Sequence, residues 1–357
     1  MNSSENRSEH GVFPLEILIL IAEKLDDTQS LARLCMVNSR VSDALRPVLY
    51  KDIYAFGIPE MQQICESVLT SAYHSGQLIH QLNIWLPWAN DQDDPETDLP
   101  PCIITSNPEL IPSIRAALCE MPNLIELSVD VWPDDFDSIF EGLNPPFRLD
   151  KFLSQMVSSN VLVDFLRSQP SLTAIEFTGD RAAENLELWD QLRDPAILPS
   201  LRHITVPMIL LERFVPGRPV TRIGILGGSW AQNMSSIFNR SSLGVVWLED
   251  TMHEGLWDRC VSAFAMTVLG ATLKRLTFNL RVNIGQQLQV HYQPLRNLEV
   301  LYNSFPILER LDFVSFAPRK PSEQNISDWL GDMDTIQKWR DLVPSLKVVV
   351  AFGRVID

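Results

Sequence analysis

The sequence predicts an α/β protein, α+β overall, in which a small module of three helices precedes an α/β solenoid with parallel strands on its concave face. Three observations predict this fold class. A strongly apolar helical pattern opens the chain at residues 13–25, a phrase of the form Leu-x-x-Leu-x-apolar recurs along the rest of it, and helical patterns separate the copies. Repeated alternation of helix and strand favours stacked units with helices outside. The predicted organisation is a disordered tail at 1–10, a helical module at 11–56 and a repeat domain at 57–357.

The composition argues against several classes of protein. The 357 residues are 45% apolar, which is enough to bury a substantial core. A formal net charge of -16 repels phosphate backbones and anionic lipid heads, so we expect neither nucleic acid nor a membrane as partner. The cysteines lack the short spacings of metal or redox motifs. We interpret them as buried thiols of a cytoplasmic or nuclear, reducing compartment; they are Cys35, Cys65, Cys102, Cys119 and Cys260.

The opening run FPLEILILIAEKL has no positive flank and no cleavage site of a secretory signal, and it falls short of the ~20 apolar residues that a membrane span needs. Pro14 and Glu16 are typical of the first turn of a helix. The apolar positions cover more than a third of that helix; they are Leu15, Ile17, Leu18, Ile21, Ala22 and Leu25. The simple alternative is a core helix of one globular domain, but so wide an apolar face favours cover on two sides.

Two further short helices follow in the predicted module. Asp27 or Thr28 can cap the second helix, and Asn38 or Ser39 can cap the third. Their apolar positions are Leu31, Leu34, Val37, Val41, Ala44 and Leu45. Three short helices within ~50 residues bury too little surface to be secure alone, so the module needs other protein to pack against.

The residues of this module follow a recognisable order: FPLEIL at 13–18, then Ile21, Leu25, Leu31, Leu34, Val37, Ser39-Arg40 and Leu45, and finally PVLYKDI at 47–53. This order resembles an F-box, especially the form common in fungal proteins. The resemblance implies that the three helices dock on the adaptor subunit of an SCF-type cullin-RING ubiquitin ligase, and through it on cullin, while the rest of the chain binds a protein substrate. The adaptor-binding residues that it implies are Phe13, Pro14, Leu15, Ile17, Leu18, Ile21, Leu25, Leu31, Leu34 and Val37.

The recurring phrase predicts the architecture of the remaining chain. Clear copies lie at 121–129, 169–177, 198–206, 271–278, 305–313 and 343–350, and weaker ones at 79–84, 220–226 and 243–248. Proline before the first leucine of several copies ends the preceding helix, and the last two apolar positions alternate as in a strand with one buried face. This order is similar to that of leucine-rich repeats, although units of roughly thirty to fifty residues exceed the usual length of about 20 to 29. A conventional open α/β sheet is the alternative.

Helical patterns lie between the phrases. They are predicted at 60–73, 111–118, 161–166, 260–268, 294–302 and 326–333. Two acidic segments are predicted as surface loops. The first, at 90–98, is a solvated loop that a basic substrate could use, and the second, at 132–137, is a mobile insertion.

The sequence contains no motif that carries catalysis. It has no glycine-rich phosphate loop with a following lysine, no His-Glu-x-x-His and no Gly-x-Ser-x-Gly. We interpret the six histidines as surface or satisfied side chains, and the glycines at 224–228 as a turn after a strand. We therefore expect no catalytic residue, no metal and no cofactor, and predict a binding protein rather than an enzyme.

The polar residues that alternate with the buried positions of each phrase are the candidate substrate-binding set. They are Glu126, Ser128, Asp130, Glu176, Thr178, His203, Thr205, Arg275, Thr277, Asn279, Arg310 and Asp312. The set is acidic in its early copies and basic later, which suits a protein surface or an extended peptide. Any half-exposed strand would show the same alternation. The alternatives in function are an interaction scaffold that recruits no ligase, and a hydrolase hidden in an irregular α/β fold.

Overall fold

A computed structural model describes residues 14–25, 27–71, 74–86, 109–155, 159–178, 185–226, 237–252, 272–280, 305–315 and 322–357. The predicted tail at 1–10, Phe13, the acidic loop at 90–98 and the predicted helices at 260–268 and 294–302 lie outside these residues. The chain divides into two compact units. The first comprises Met1–Val131 and Asn144–Arg148, and the second comprises Trp132–Leu143 and Leu149–Asp357.

The first unit begins with the three predicted helices, which are confirmed. They are α1 (Leu15–Ala22), α2 (Thr28–Cys35) and α3 (Ser39–Leu49). Helix α1 begins directly after Pro14. The side chains of Asp27 and Asn38 cap α2 and α3, because they accept hydrogen bonds from the backbone N–H groups of Ser30 and Val41. Each cap satisfies a donor that the first turn of a helix leaves unpaired. The helices share one small core; its buried members are Ala22, Leu31, Val41 and Leu45.

A parallel three-stranded sheet completes the first unit. Its elements are β1 (Asp52–Phe56), α4 (Ile58–Thr70), β2 (Gln81–Trp85), α5 (Leu110–Cys119) and β3 (Glu126–Asp130). Strand β2 pairs with both β1 and β3, and all three run in the same direction. Residues 52–56, the end of the predicted helical module, therefore belong to the sheet. One face of the strands is buried; its residues are Ala55, Leu82, Ile84, Leu127 and Val129.

The second unit repeats strand and helix in chain order. Its elements are α6 (Pro133–Phe140), β4 (Lys151–Ser154), α7 (Asn160–Arg167), β5 (Ala174–Phe177), α8 (Leu186–Asp190), β6 (His203–Val206), a one-turn helix (Leu211–Phe214), β7 (Arg222–Leu226), β8 (Trp247–Met252), β9 (Arg275–Leu280), β10 (Arg310–Ser315), α9 (Glu323–Leu330), α10 (Ile336–Leu342), β11 (Val348–Ala351) and β12 (Arg354–Ile356). Strands β4 to β11 pair in parallel with their neighbours in sequence. The short β12 pairs antiparallel with β11. The predicted parallel pairing is confirmed.

The recurring phrase has the same structural role in eight of the nine predicted copies. Its leading apolar residue is almost fully buried in these; the residues are Ile79, Leu124, Leu172, Leu201, Val220, Leu273, Leu308 and Leu346. In the copy predicted at 243–248, Leu243 is 61% exposed and Val245 is the buried residue. Leu149 is buried in the same place before β4, where no copy was predicted. Just before the strand, two successive backbone N–H groups donate to one carbonyl of the preceding copy, as Arg202 and His203 donate to Thr173. The phrase therefore sets the register of each new strand through the backbone and through one buried side chain.

Two sequence interpretations are wrong. Residues 132–137, predicted as a mobile insertion, begin helix α6, whose Phe136, Ile139 and Phe140 are buried. Phe136 and Phe140 stack at 4.5 Å between ring centroids, and Phe140 in turn contacts Phe165 of α7. The acidic residues misled the prediction because they occupy the first turn of a helix, where carboxylates are favourable. Gly224 lies inside β7, within the weak strand predicted at 220–226, and not in the turn predicted from the glycines at 224–228.

Candidate functional site

The three-helix core leaves apolar side chains in contact with solvent. Ile17, Leu20 and Ile21 of α1 are 44%, 61% and 43% exposed, and Met36 and Val37, directly after α2, are 83% and 67% exposed. We call these five residues the apolar face. Single exposed apolar residues are ordinary, whereas five between positions 17 and 37 of so small a module are typical of a binding surface.

The structure divides the implied adaptor-binding residues into three groups. Ile17, Ile21 and Val37 belong to the apolar face, and Pro14 is exposed beside it. Leu15, Leu18 and Leu34 are partly buried and pack against the helical core, as a second group. Leu25 is half-buried and Leu31 is a core residue. Leu20 and Met36 were not predicted, although the unbroken apolar run at 17–21 was a signal for the former.

The second unit carries a polar cluster on strands β7 to β10. Cross-strand register aligns Arg222, Trp247, Arg275 and Arg310 as neighbours in one row. Two residues further along each strand, Gly224, Glu249, Thr277 and Asp312 form a second row. We call the side chains of both rows, together with Asn279, the polar face. Because alternate residues of a strand share one face, the arginines of the first row lie next to the carboxylates of the second.

Trp247 is flanked by guanidinium groups from the strands on both sides. The Cζ atoms of Arg222 and Arg275 lie 3.4 and 3.7 Å from the centroid of its ring. The Nε1–H of Trp247 donates to Oγ1 of Thr277 at 3.1 Å, which fixes the orientation of the ring. Guanidinium groups are attracted to the faces of tryptophan. The indole therefore holds two arginine side chains in defined positions.

Two carboxylates complete the polar face. Asp312 is buried, with 3% of its side chain exposed, and it accepts hydrogen bonds from Nε of Arg275 at 2.7 Å and Nε of Arg310 at 2.9 Å. Glu249 accepts one hydrogen bond from Arg222 and one from Asn279, each at 2.8 Å. Burial alone raises the pKa of Glu249, but the hydrogen bonds from Asn279 and Arg222 hold it below the ordinary value. Glu249 is therefore an ionised partner of Arg222.

Strand β7 requires a glycine at position 224. A Cβ atom at Gly224 would lie 2.5 Å from Oγ1 of Thr205 on the neighbouring β6. That distance is shorter than any real contact of a Cβ atom, so only glycine fits. The side chain of Thr205 occupies the space that a side chain at position 224 would need.

The other predicted substrate-binding residues are placed as follows. Thr277, Asn279 and Asp312, predicted to face a ligand, are themselves buried beneath the arginines. Glu176 is half-buried on β5, and burial raises the pKa of its carboxyl group. Thr178 lies beyond the end of β5. In the first unit, half-buried Glu126, Ser128 and Asp130 pair in register with Gln81, Asn83 and Trp85. The sequence interpretation missed Arg222, Trp247 and Glu249, because neither weak strand had an assigned register; their alternation with Ile223 and Leu248 was the available signal.

His203 gives the polar region a testable pH dependence. Burial and the charge of Arg222 lower the pKa of His203 from 6.5 to about 4, and Glu249 and Lys151 are the other charged groups acting on it. The unfolded chain therefore binds this proton before the folded chain does. The stability contributed by neutral His203 is complete above pH 6.5 and is lost as the pH falls towards 4. We expect His203→Gln to remove about 2 kcal/mol of the pH dependence across that window.

The measurement is urea denaturation followed by circular dichroism at several pH values. The titration of Glu176 cancels in the difference between variant and wild type, whereas that of Glu249, which interacts with His203, is part of the measured difference. His80→Gln, at a half-buried histidine of the first unit, is the matched control. An unchanged pH profile in His203→Gln, or an equal change in His80→Gln, contradicts the expected role of His203.

Other site chemistry is limited in the part of the chain that the structure describes. Within those residues, no three His, Cys, Asp or Glu side chains group as a metal site would, and every helix is too short or too polar to cross a bilayer. Cys65 is buried, which raises its pKa to about 11. Cys35 is half-buried and Cys119 is exposed, contrary to the expectation that all the thiols are buried. Cys102, Cys260, His10, His253 and His291 lie outside the described ranges.

Comparison with known proteins adds no relative: no protein-family model matches the chain, and no curated protein matches it significantly.

Proposed function

We propose that this chain is the substrate-recognition subunit of an SCF-type cullin-RING ubiquitin ligase. In this proposal the three N-terminal helices are an F-box that binds the adaptor, and the strand-and-helix repeats are an irregular leucine-rich-repeat-like domain that binds a protein substrate. The chain acts in the cytoplasm or nucleus, without a cofactor. The observation that carries the proposal is the apolar face, which remains exposed beside an already closed helical core.

Two features support this reading of the helical module. The buried residues of the small core come from all three helices. Folding of the module therefore buries Leu31, Val41 and Leu45 but leaves Ile17, Leu20 and Ile21 exposed. Exposed apolar area is stabilised by cover from another protein at about 25 cal/mol per Å². Three of the five residues of the apolar face, Ile17, Ile21 and Val37, are among those that the F-box resemblance implies for adaptor contact.

The mechanism of such a subunit is proximity. Binding a substrate on one part of the chain and the ligase on another raises the effective concentration of a substrate lysine near the ubiquitin-charged enzyme. The chemistry of ubiquitin transfer belongs to other subunits. The polar face of the second unit is the proposed substrate surface, because its arginines are partly exposed and held in fixed positions.

Adaptor capture tests the proposal. We expect the purified chain to bind recombinant SCF adaptor, and the double variant Ile17→Asp/Ile21→Asp to bind at least about tenfold more weakly, since it places two charges in an apolar interface. Biolayer interferometry measures the affinities. These positions are preferable to Leu18, which packs against the core and whose replacement would confound binding with folding.

Leu69→Asp is the matched control, because Leu69 of α4 is also 44% exposed but lies outside the apolar face. We expect it to retain wild-type adaptor affinity. Circular dichroism verifies that each variant is folded. If the wild-type chain fails to bind the adaptor, the chain is an interaction scaffold that recruits no ligase. If Leu69→Asp weakens binding as much as the double variant does, the apolar face is not the contact surface.

A further inference from the structure

Three arginines of the polar face keep hydrogen-bond donors that the described residues do not use. Nε of Arg222 is buried without an acceptor. Arg275 and Arg310 engage Asp312 through Nε, and within the described ranges no acceptor lies within hydrogen-bonding distance of their Nη groups. The side chains of Arg222, Arg275 and Arg310 are 31%, 32% and 42% exposed. The Nη groups of these partly exposed side chains are accessible to a ligand, whereas the buried Nε of Arg222 is not.

The local charge balance favours an anion. Three guanidinium groups face two carboxylates, and both carboxylates already accept hydrogen bonds from within the cluster. The nearby Lys151 and Glu176 add one charged group of each sign, so the cluster keeps an excess of positive charge, on a chain whose formal net charge is -16. Arginine presents its N–H groups as a planar fork that matches the two oxygens of a carboxylate or a phosphate.

The arrangement is also organised before a ligand arrives. Arg222 and Arg275 stack on the faces of Trp247, whose ring is fixed by Thr277, and Arg310 is held by the buried Asp312. Ordering a flexible side chain during binding costs ~0.5–1.5 kcal/mol. Because internal contacts have already ordered these side chains, much of that cost is removed from the binding step.

We propose that Arg222, Arg275 and Arg310 bind the anionic groups of an acidic segment in a partner protein, either side-chain carboxylates or phosphates. Arg275 and Arg310 lie on adjacent strands, about 4.8 Å apart, and can grip one group, whereas Arg222 is about 10 Å from Arg275 and reaches a second. An open strand face suits part of a larger molecule, since small ligands bind in clefts that bury most of their surface. The inference rests on the proposed function only in naming this partner as the substrate.

Fluorescence polarisation of labelled peptides with the purified full chain tests the inference. The probes are hexaglutamate, a Gly-phosphoserine peptide of three repeats, its unphosphorylated Gly-Ser counterpart, and hexalysine. We expect at least one anionic probe to bind about tenfold more tightly than the neutral and basic probes, and the affinity to fall as salt is added. Comparison of the glutamate and phosphoserine probes identifies which anion the arginines prefer.

Variants locate the binding. Arg222→Gln and Arg310→Gln should each weaken the anionic probe about tenfold, as expected for loss of a charge-assisted hydrogen bond. Arg310→Lys keeps the charge but not the fork, and should recover part of the loss. Arg240→Gln is the matched control, because it removes the same charge at an exposed arginine of the same unit outside the polar face. Circular dichroism checks that the variants are folded.

Equal affinity for anionic and neutral probes overturns the inference. So does an equal loss in Arg240→Gln and Arg310→Gln, which would mean that the binding is diffuse electrostatics. The adaptor takes no part in this assay. Adaptor capture without anion preference would therefore reject this inference and keep the proposed function. Anion preference without adaptor capture would keep this inference and reject the proposed function.

Discussion

Replacing Arg218 with methionine is expected to lower the free energy of unfolding by about 3–5 kcal/mol, the largest effect that we predict for a single side chain. Arg218 has no solvent-exposed surface. Its guanidinium group donates to five backbone carbonyls, which belong to Leu192, Asp194, Ile197, Arg213 and Phe214. A guanidinium group has five N–H donors, so every one is used. Methionine fills a similar volume but leaves five carbonyls without their partner.

These five carbonyls come from the segments before β6 and before β7. Residues 192–197 lead into β6, and residues 213–214 lead into β7. Irregular backbone must satisfy its polar groups once it is buried, and Arg218 supplies the donors that a longer helix would have supplied. Burial lowers the pKa of Arg218 to about 10, so the side chain is still charged at neutral pH.

Urea denaturation followed by circular dichroism measures the loss. Arg218→Lys should fall between wild type and Arg218→Met, since an ammonium group has three donors instead of five. Arg240→Met is the control, because Arg240 is exposed and exposed substitutions usually change stability by less than about 0.5 kcal/mol. A loss below about 1 kcal/mol in Arg218→Met would show that the five hydrogen bonds do not organise this region.

Replacing Asp312 with asparagine is expected to cost about 2–4 kcal/mol. The substitution conserves shape but removes the charge that Arg275 and Arg310 share. Asp312 also accepts from Oγ1 of Thr277 at 3.4 Å, and Thr277 accepts from the indole of Trp247. Removing one partner of a buried ion pair leaves the other charge uncompensated, which lowers stability. The substitution also weakens the hydrogen bonds through Thr277 that orient Trp247 and, with it, Arg275.

Denaturation of Asp312→Asn is compared with that of Asp164→Asn. Asp164 forms an ion pair with Arg167 at 2.9 Å, but its side chain is 72% exposed. Exposed ion pairs contribute about 0–1 kcal/mol, so this control should be nearly neutral. Equal losses in the two variants would mean that burial of Asp312 adds nothing to its pairing with Arg275 and Arg310.

The buried pattern of the repeats could be predicted from the sequence because it is local. Leu172 ends the turn, and Ile175 and Phe177 are alternate residues of the strand that point into the core. All three are buried. The same spacing predicted the copies at Leu201, Leu273 and Leu308. Capping residues such as Asp27 and Asn38 were also predictable, since a side chain three residues before a backbone N–H needs no distant partner. The acidic start of α6 led to a wrong prediction, because this helix is buried by contacts with another element, such as that of Phe140 with Phe165.

Part of the candidate site was predictable and part was not. Arg275, Arg310 and Asp312 lie in clear copies of the phrase, so the alternation of buried and polar positions predicted which face of the strand they occupy. Arg222 and Trp247 lie 25 positions apart in the sequence and follow weak copies, and only the register of β7 against β8 makes them neighbours. The five carbonyls around Arg218 left no sequence signal, because backbone groups are the same in every residue.

By itself, the sequence determined the three N-terminal helices, the parallel repeat and the apolar character of α1, but not β1, β4 or α6. These properties follow from spacing within a few residues and from hydrophobic burial, which acts on each phrase separately. Only the tertiary structure decided which apolar residues of α1 and α2 stay exposed, which charges meet across strands, and that Asp312 is buried while the arginines above it are partly exposed. The physical reason is that cross-strand contacts depend on register, and each unit of register shift changes every side-chain neighbour at once.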